Sequence, residues 1–293
     1  MRYAYYPGCS LHSTGSEFDT SLRAVAPRLG VELDEVGGWI CCGSTPAHSV
    51  SELLALALPV ANLCLVEQME EDEVMVPCAS CFRRLKSGHL EITTRPDVAA
   101  RVNRVVDEPY RGTVKVSHPL EIFSDREMLG MLAKQATTDL SALRVVCYYG
   151  CLLTRPPKVM QFDRHEYPMS MDTLLRAAGI ATLDWDFKTM CCGAAFSLTE
   201  TDIVYKLTAE ILDEAQAVGA NAVAVACPLC HANLDTRQSE IEERQEKRYG
   251  LPVFYFTQLM GLAMGIPGVE LGLGKHLVDA ERLIETAIEA PAA

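Results

Sequence analysis

The chain has 293 residues, 49% of them hydrophobic, and a formal net charge of −13. That length and apolar content suffice for a substantial core in two domains of ordinary size, with no need of disulfides to hold them. The acidic balance excludes a general nucleic-acid surface, because neutralising phosphates takes a basic patch and the short group Arg83-Arg84-Leu85-Lys86 is too small to supply one.

In chain order, Arg2 to Gly8 is a short aromatic strand running into Cys9. It has no apolar h-region, so no secretory signal is expected and the chain reads as cytoplasmic, where thiols stay reduced unless a metal takes them. A helix over Ser16 to Leu29 closes on Gly30 as a left-handed C-cap, and a strand-like run follows from Val31 to Val36. Then come Cys41-Cys42-Gly43, a long apolar helix from Val50 to Met69 with Pro59 as an expected kink, and a strand from Val74 to Pro77. That strand delivers Cys78-Ala79-Ser80-Cys81 at its carboxyl end, where a helix begins.

The second half repeats the order. Leu143 to Gly150 leads into Cys151, a helix over Met171 to Ala178 closes on Gly179, and a strand covers Ile180 to Phe187. Cys191-Cys192-Gly193 precedes a helix from Glu200 to Val218, with Ile203, Leu207, Ile211 and Leu212 on one face. A strand over Ala222 to Ala226 delivers Cys227-Pro228-Leu229-Cys230. Leu251 to Val269 is uncharged but broken by Pro252, Gln258, Gly261, Gly265, Pro267 and Gly268, so it reads as a buried strand and helix and not as a membrane span. Alternating strands and helices predict an α/β fold with a largely parallel sheet in each of two domains, 1–142 and 143–293, related by internal duplication.

Ten of the twelve cysteines belong to the repeated pattern. The gaps are 31 and 35 residues in the first copy and 39 and 34 in the second, so order and approximate spacing are duplicated together. Loops at the carboxyl ends of parallel strands are where ligands sit, so Cys9 and the CxxC lie on one sheet edge and the CCG loop folds over them. Adjacent cysteines on a regular strand point to opposite faces; Gly43 and Gly193 supply the freedom that turns both members of each pair inward. A structural zinc or a cubane cluster is closed by four protein ligands, whereas each copy offers five thiols, which favours a cluster other than the ordinary cubane. A duplicated zinc site and a metal-free thiol–disulfide relay remain as alternatives, separable by metal content and colour.

The doubled pattern, in which one cysteine, a CCG and a CxxC recur across nearly the whole chain, resembles the cysteine-rich CCG domain of the heterodisulfide reductase B subunit. The resemblance implies two pseudo-symmetric, Rossmann-like CCG domains. It also implies two non-cubane [4Fe–4S] clusters facing each other, one on Cys9, Cys41, Cys42, Cys78 and Cys81, the other on Cys151, Cys191, Cys192, Cys227 and Cys230. The implied reaction is reduction of the mixed disulfide of coenzyme M and coenzyme B, with electrons from two partners in the reductase, one ferredoxin-like and one flavin-containing. The absence of a nucleotide fingerprint and of a ferredoxin C-x2-C-x2-C-x3-C run fits dependence on such partners. The motif is shared with iron–sulfur subunits of lactate- and glycolate-oxidising and bacterial bifurcating complexes, which leaves an electron-transfer role without this disulfide as the alternative.

Other candidates are fewer. His12, His48 and His231 follow cluster motifs closely enough to serve as proton donors to a leaving thiolate, and His118 ends a strand facing the same edge. The second copy carries extra residues between Cys151 and Gly179, where Arg155, Lys158 and Arg164 are candidates for contact with an anionic substrate. Cys64, inside an apolar helix, and Cys147, without a cysteine counterpart in the first copy, are expected to be packed thiols.

Overall fold

The computed structural model describes residues 1–44 and 46–289. Two four-stranded sheets form, each entirely parallel. The first has the order β2-β1-β3-β4, from β1 (Arg2–Tyr5), β2 (Glu32–Glu35), β3 (Glu73–Met75) and β4 (Lys115–Ser117). The second has β6-β5-β7-β8, from β5 (Arg144–Tyr148), β6 (Ala181–Leu183), β7 (Ala222–Val225) and β8 (Val253–Tyr255). The identical order in both halves is what a duplication produces. β1 and β5 are each followed by the first cysteine of a set, and β3 and β7 by a CxxC. Adjacent central strands therefore deliver thiols at the same sheet edge.

The helices that position the sites are α1 (Ser16–Val25), α2 (Glu52–Gln68), α3 (Ala79–Thr94), α4 (Ser170–Ala177), α5 (Thr201–Ala217), α6 (Pro228–Thr236) and α7 (Phe256–Ala263). The expected first helix is α1 plus a 3-10 turn over Ala26–Leu29, ending on Gly30 at φ 69°. The helix expected from Val50 is split, because Ser51 is extended and its hydroxyl accepts from Leu54 N–H; a separate turn covers Pro46–Val50 before α2. The strand expected over Ile180 to Phe187 pairs only over Ala181–Leu183.

One face is corrected at its edge. Ile203 on α5 is 42% exposed, and the buried stripe is Val204, Thr208, Ile211, Leu212 and Ala215. Ile211 and Leu212 of the expected face are buried; Ile203, in the first turn, lies at its exposed edge, and Val204 beside it is buried instead. Leu251 to Val269 forms β8 and α7, every residue of both being buried. Among the described residues no helix is long and apolar enough to cross a membrane.

The halves embrace reciprocally. α1 of the first packs on α7 of the second, and α4 of the second packs on the short helix Pro119–Phe123 of the first. Ser21 and Thr257 share a buried hydroxyl–hydroxyl hydrogen bond of 2.7 Å across the first contact. The turn holding Cys9 touches α6, and the turn Pro157–Met160 after Cys151 touches α3. Each half thus sets its first cysteine's loop against the CxxC helix of the other.

Candidate metal centres

Each CxxC begins a helix. Cys78 is the N-cap of α3 and Cys227 that of α6, both with extended backbone, so the sulfurs sit where unpaired N–H groups and the helix dipole favour negative charge. Cys42 Sγ lies 3.2 Å from Cys81 Sγ. Cys192 Sγ lies 3.7 Å from Cys230 Sγ, and Cys151 Sγ 3.7 Å from Cys191 Sγ. The CCG glycines have the left-handed backbone that turns these loops, φ 79° at Gly43 and 77° at Gly193. The members of each pair do not both turn inward, however. Cys42 and Cys192 are buried, whereas Cys41 and Cys191 stay on the exposed rim beside another thiol of the set.

Titration behaviour follows from this crowding. Hydrogen bonds from Cys41 and Cys81 pull Cys42 down to about 3, and the one from Cys151 pulls Cys191 down to about 6. Cys81 and Cys230, whose sulfurs contact Cys42 and Cys192, are pushed well up by those contacts and by burial. Thiols this close cannot all ionise against one another; metal ions bound among them would let them do so.

The two sets abut. Cys78 and Cys227 are near enough across the halves for each to shift the other's titration, so the seam between halves is also the seam between sites. His118, fully buried after β4, directs Nε2 at the carbonyls of Pro77 (2.7 Å) and Ala226 (3.1 Å), the residues before the two CxxC turns. It is held neutral, near 4, chiefly by burial. Tyr255, the last residue of β8, occupies the equivalent N-cap place, its N–H donating to Gln258 Oε1 at 2.9 Å. Its ring is stacked between Phe18 and His231, each at 4.4 Å.

The proton-donor candidates separate. His12 is about half exposed, 3.2 Å from Glu35 and edge-on to Trp39. His48 is exposed and contacts the Arg84 guanidinium; burial and that cation lower its pKa. His231 is buried, gives Nε2–H to Val253 O at 3.0 Å, and is held neutral, near 3, by burial and His276. His231, Asp235 and His276 bring donor atoms within 4.8 Å of one another. They are nevertheless no cation site: Gln258, fixed by Tyr255 N and Leu271 O, points its amide N–H at His276 Nε2, so the proton of His276 sits on Nδ1, the atom facing His231.

Arg155, Lys158 and Arg164 do not converge. Arg155 is half-buried and braces the second CCG loop through Thr189 O (3.2 Å) and Thr189 Oγ1 (3.1 Å), besides pairing with Glu166. Lys158 and Arg164 are exposed. Cys64 is packed, donates to Glu108 O at 3.0 Å and is pushed up to about 11 by burial; Cys147 is fully buried in β5.

Several residues at the sites escape sequence reasoning. Tyr6 and Tyr148, three positions before Cys9 and Cys151, reach under each set and donate at 2.7 Å to Ile40 O and Met190 O, just before the paired cysteines. Their repetition is the signal that could have found them. Gly8 and Gly150 have φ 69° and 66°, and a Cβ on either would stand 2.9 Å from Cys81 Sγ or Cys230 Sγ. Arg84, in sequence only one member of a short basic group, is buried beside the first site. Its Nε and Nη2 are sealed from solvent with no hydrogen-bond partner among the described residues. A buried cation with unspent donors next to five thiols fits an anionic iron–sulfur group in the space between them.

Two parallel α/β units, each gathering five thiols at the carboxyl ends of its strands, define a duplicated cysteine-rich redox module. The chain belongs to the CCG cysteine-rich domain family, whose model matches residues 3–86 and 145–235. It is 32% identical to the 8-methylmenaquinol:fumarate reductase membrane anchor subunit of Wolinella succinogenes, over 96% of this chain and 98% of that one. It is 28% identical to the ferredoxin:CoB-CoM heterodisulfide reductase B subunit of Methanosarcina mazei, over 95% and 94%. A solved structure of a hypothetical protein from Helicobacter pylori shares the fold, with a TM-score of 0.70 and 10% identity; 95% of this chain covers 52% of that one, about half its length.

Proposed function

We propose that this chain is the cluster-bearing subunit of a heterodisulfide-reductase-type complex. Cys9, Cys41, Cys42, Cys78 and Cys81 would hold one [4Fe–4S] cluster of non-cubane type, and Cys151, Cys191, Cys192, Cys227 and Cys230 the other. Such clusters, when bound, supply electrons singly at two adjacent points, which suits the reaction R–S–S–R′ + 2 e⁻ + 2 H⁺ → RSH + R′SH for a mixed disulfide of the CoM–CoB type. The observation that carries this reading is the meeting of the two five-thiol sets at the CxxC turns, where one His118 Nε2 contacts both Pro77 O and Ala226 O, the residues before Cys78 and Cys227. A substrate there would touch both sites at once.

The chain's own residues have definite parts in this scheme. Tyr6 and Tyr148 hold the CCG loops through Ile40 and Met190, and His118 ties the two CxxC turns into one rigid seam. Of the three histidines, His12 has solvent access and lies by the first site, so it is the donor we favour for the departing thiolate; His231 is closed off from bulk water. Electrons would come from a ferredoxin-like partner and a flavin-containing one, as in complexes of this class.

A second reading is favoured by the 32% identical fumarate reductase subunit: the same two clusters pass electrons within a quinol-linked complex and cleave no disulfide. Anaerobic purification with iron and sulfide analysis, then turnover with reduced viologen, separates the two. Consumption of CoM–S–S–CoB supports the first; about eight irons per chain with no disulfide reduction but reoxidation by a quinone analogue supports the second. Zinc with little iron removes both.

A further inference from the structure

The two sites are alike in their thiols but not in their surroundings. Counting three residues on from the last CxxC cysteine, the first half has Arg84 and the second Asn233. Both are buried on the second turn of the CxxC helix, and both face the paired cysteines. Asn233 is bonded at both ends: its Nδ2 donates to Cys192 O at 3.0 Å, and its Oδ1 accepts from Ser197 Oγ at 3.0 Å and Arg237 Nε at 3.3 Å. Arg237 lies outside that layer, shared among Asn233, Ser197 O and Glu240. Arg84 is 7% exposed, has His48 as its one side-chain hydrogen-bond partner among the described residues, through Nη1, and keeps two sealed donors, Nε and Nη2, within electrostatic reach of Cys42. No carboxylate of the described residues pairs with it among the salt bridges.

A buried guanidinium without a counter-ion is costly unless an anion stands beside it. The potential of an iron–sulfur centre depends on nearby charge and on hydrogen bonds to its sulfurs, because reduction adds a negative charge that a cation and N–H donors stabilise. From these two facts, and resting on the two-cluster reading above, we infer that Arg84 makes the first site the more easily reduced of the pair, so that the duplicated centres work as an unequal couple in which electrons come to rest on the Cys9–Cys81 set. The neutral Asn233 gives the second site no such bias. Exposure acts in the same direction, since Cys9 is exposed while its counterpart Cys151 is half-buried.

The test is an anaerobic redox titration of the whole chain with its native clusters, followed by electron paramagnetic resonance. Cys41→Ser and Cys191→Ser, each removing one signal, assign the two centres. The parent is expected to show two separate midpoints, the first site's the higher. Arg84→Gln should move that midpoint to more negative potential and leave the second in place, whereas Arg84→Lys keeps most of the gap. Coincident midpoints in the parent, or an unmoved midpoint in an Arg84→Gln protein with full iron, overturn the inference and leave the two-cluster reading standing. Should Arg84→Gln fail to assemble its first cluster, Asn233→Lys carries the test: a positive shift of the second midpoint supports the inference, and none overturns it. Failure of the underlying reading looks different, as a parent chain with no reducible iron.

Discussion

Replacing Lys188 with methionine would leave Asp172 as a lone carboxylate sealed inside the second half. Both side chains have zero solvent exposure, and Lys188 Nζ donates to Asp172 Oδ1 at 2.7 Å. Tyr149 Oη donates to the other carboxylate oxygen at 2.8 Å and accepts Met171 N–H at 2.7 Å, so the pair is knitted into the start of α4. The carbonyl of Lys188 accepts the N–H groups of Tyr149 (2.8 Å) and Gly150 (3.1 Å), which anchors the turn carrying Cys151. Removing one member of a buried ion pair costs about 3 to 5 kcal/mol, because the other is left charged in a low-dielectric interior. Against a usual stability of about 5 to 15 kcal/mol this is a large fraction, on the order of 10 °C in melting temperature. The chain has two tryptophans, one per half, and Trp185 is buried with Nε1 on Cys147 O at 3.0 Å, close to the pair. Anaerobic urea unfolding followed by fluorescence, with Trp39→Phe to isolate Trp185, should show Lys188→Met shifted to lower urea by that amount. The double change Asp172→Leu with Lys188→Met should recover most of the loss. A Lys188→Met protein within about 1 kcal/mol of the parent, well under the buried-pair cost, would refute the argument that the pair is sealed from water.

The other expectations are narrower. Cys42→Ser and Cys192→Ser should each lower iron from about eight to about four per chain, with the remaining site intact; unchanged iron would remove the ligand assignment. Gly150→Ala should cost the second site its iron, since the new Cβ would stand 2.9 Å from Cys230 Sγ at a φ of 66°. Gly179→Ala, at φ 80° with open space around it, should lower stability by about 1 kcal/mol and spare the iron; equal iron in both variants contradicts the close approach. Burial opposes ionisation of Glu67, but four hydrogen bonds from Arg111 and Thr113 outweigh it and hold the carboxyl below its ordinary value. A depressed folded pKa contributes stability above the unfolded value of about 4.3 and loses it as pH falls through the folded one. The gap in stability between parent and Glu67→Gln should therefore be full at neutral pH and close below that range; a gap constant down to pH 3 would contradict this.

Much of the site is legible in order and spacing alone. Ten cysteines in two like sets, each at a strand end or in a glycine-closed loop, already imply two centres on parallel α/β units, because sheet topology brings residues distant in sequence to one edge. Helix and strand positions are readable where apolar periodicity has a single solution. They fail where two solutions compete, as at Ile203 against Val204, and where a local hydrogen bond intervenes, as at Ser51. Cys64 and Cys147 are readable as packed thiols for want of a partner in the repeat.

Other features depend on what packs against what. That Cys78 comes near Cys227 follows from the reciprocal packing of α1 on α7 and of α4 on Pro119–Phe123, contacts between halves that no local pattern encodes. The same holds for Lys188 and Asp172, sixteen residues apart yet sealed together, and for Arg84. In sequence Arg84 is one of three basic residues in a short run; only burial, which strips it of solvent and counter-ion alike, turns it into a fixed charge at one site of two. Residue order alone tells which thiols form the two sets and on which kind of unit they sit. That the sets share a seam and differ in field comes from packing, because proximity across the halves and the loss of water exist only once the chain has folded.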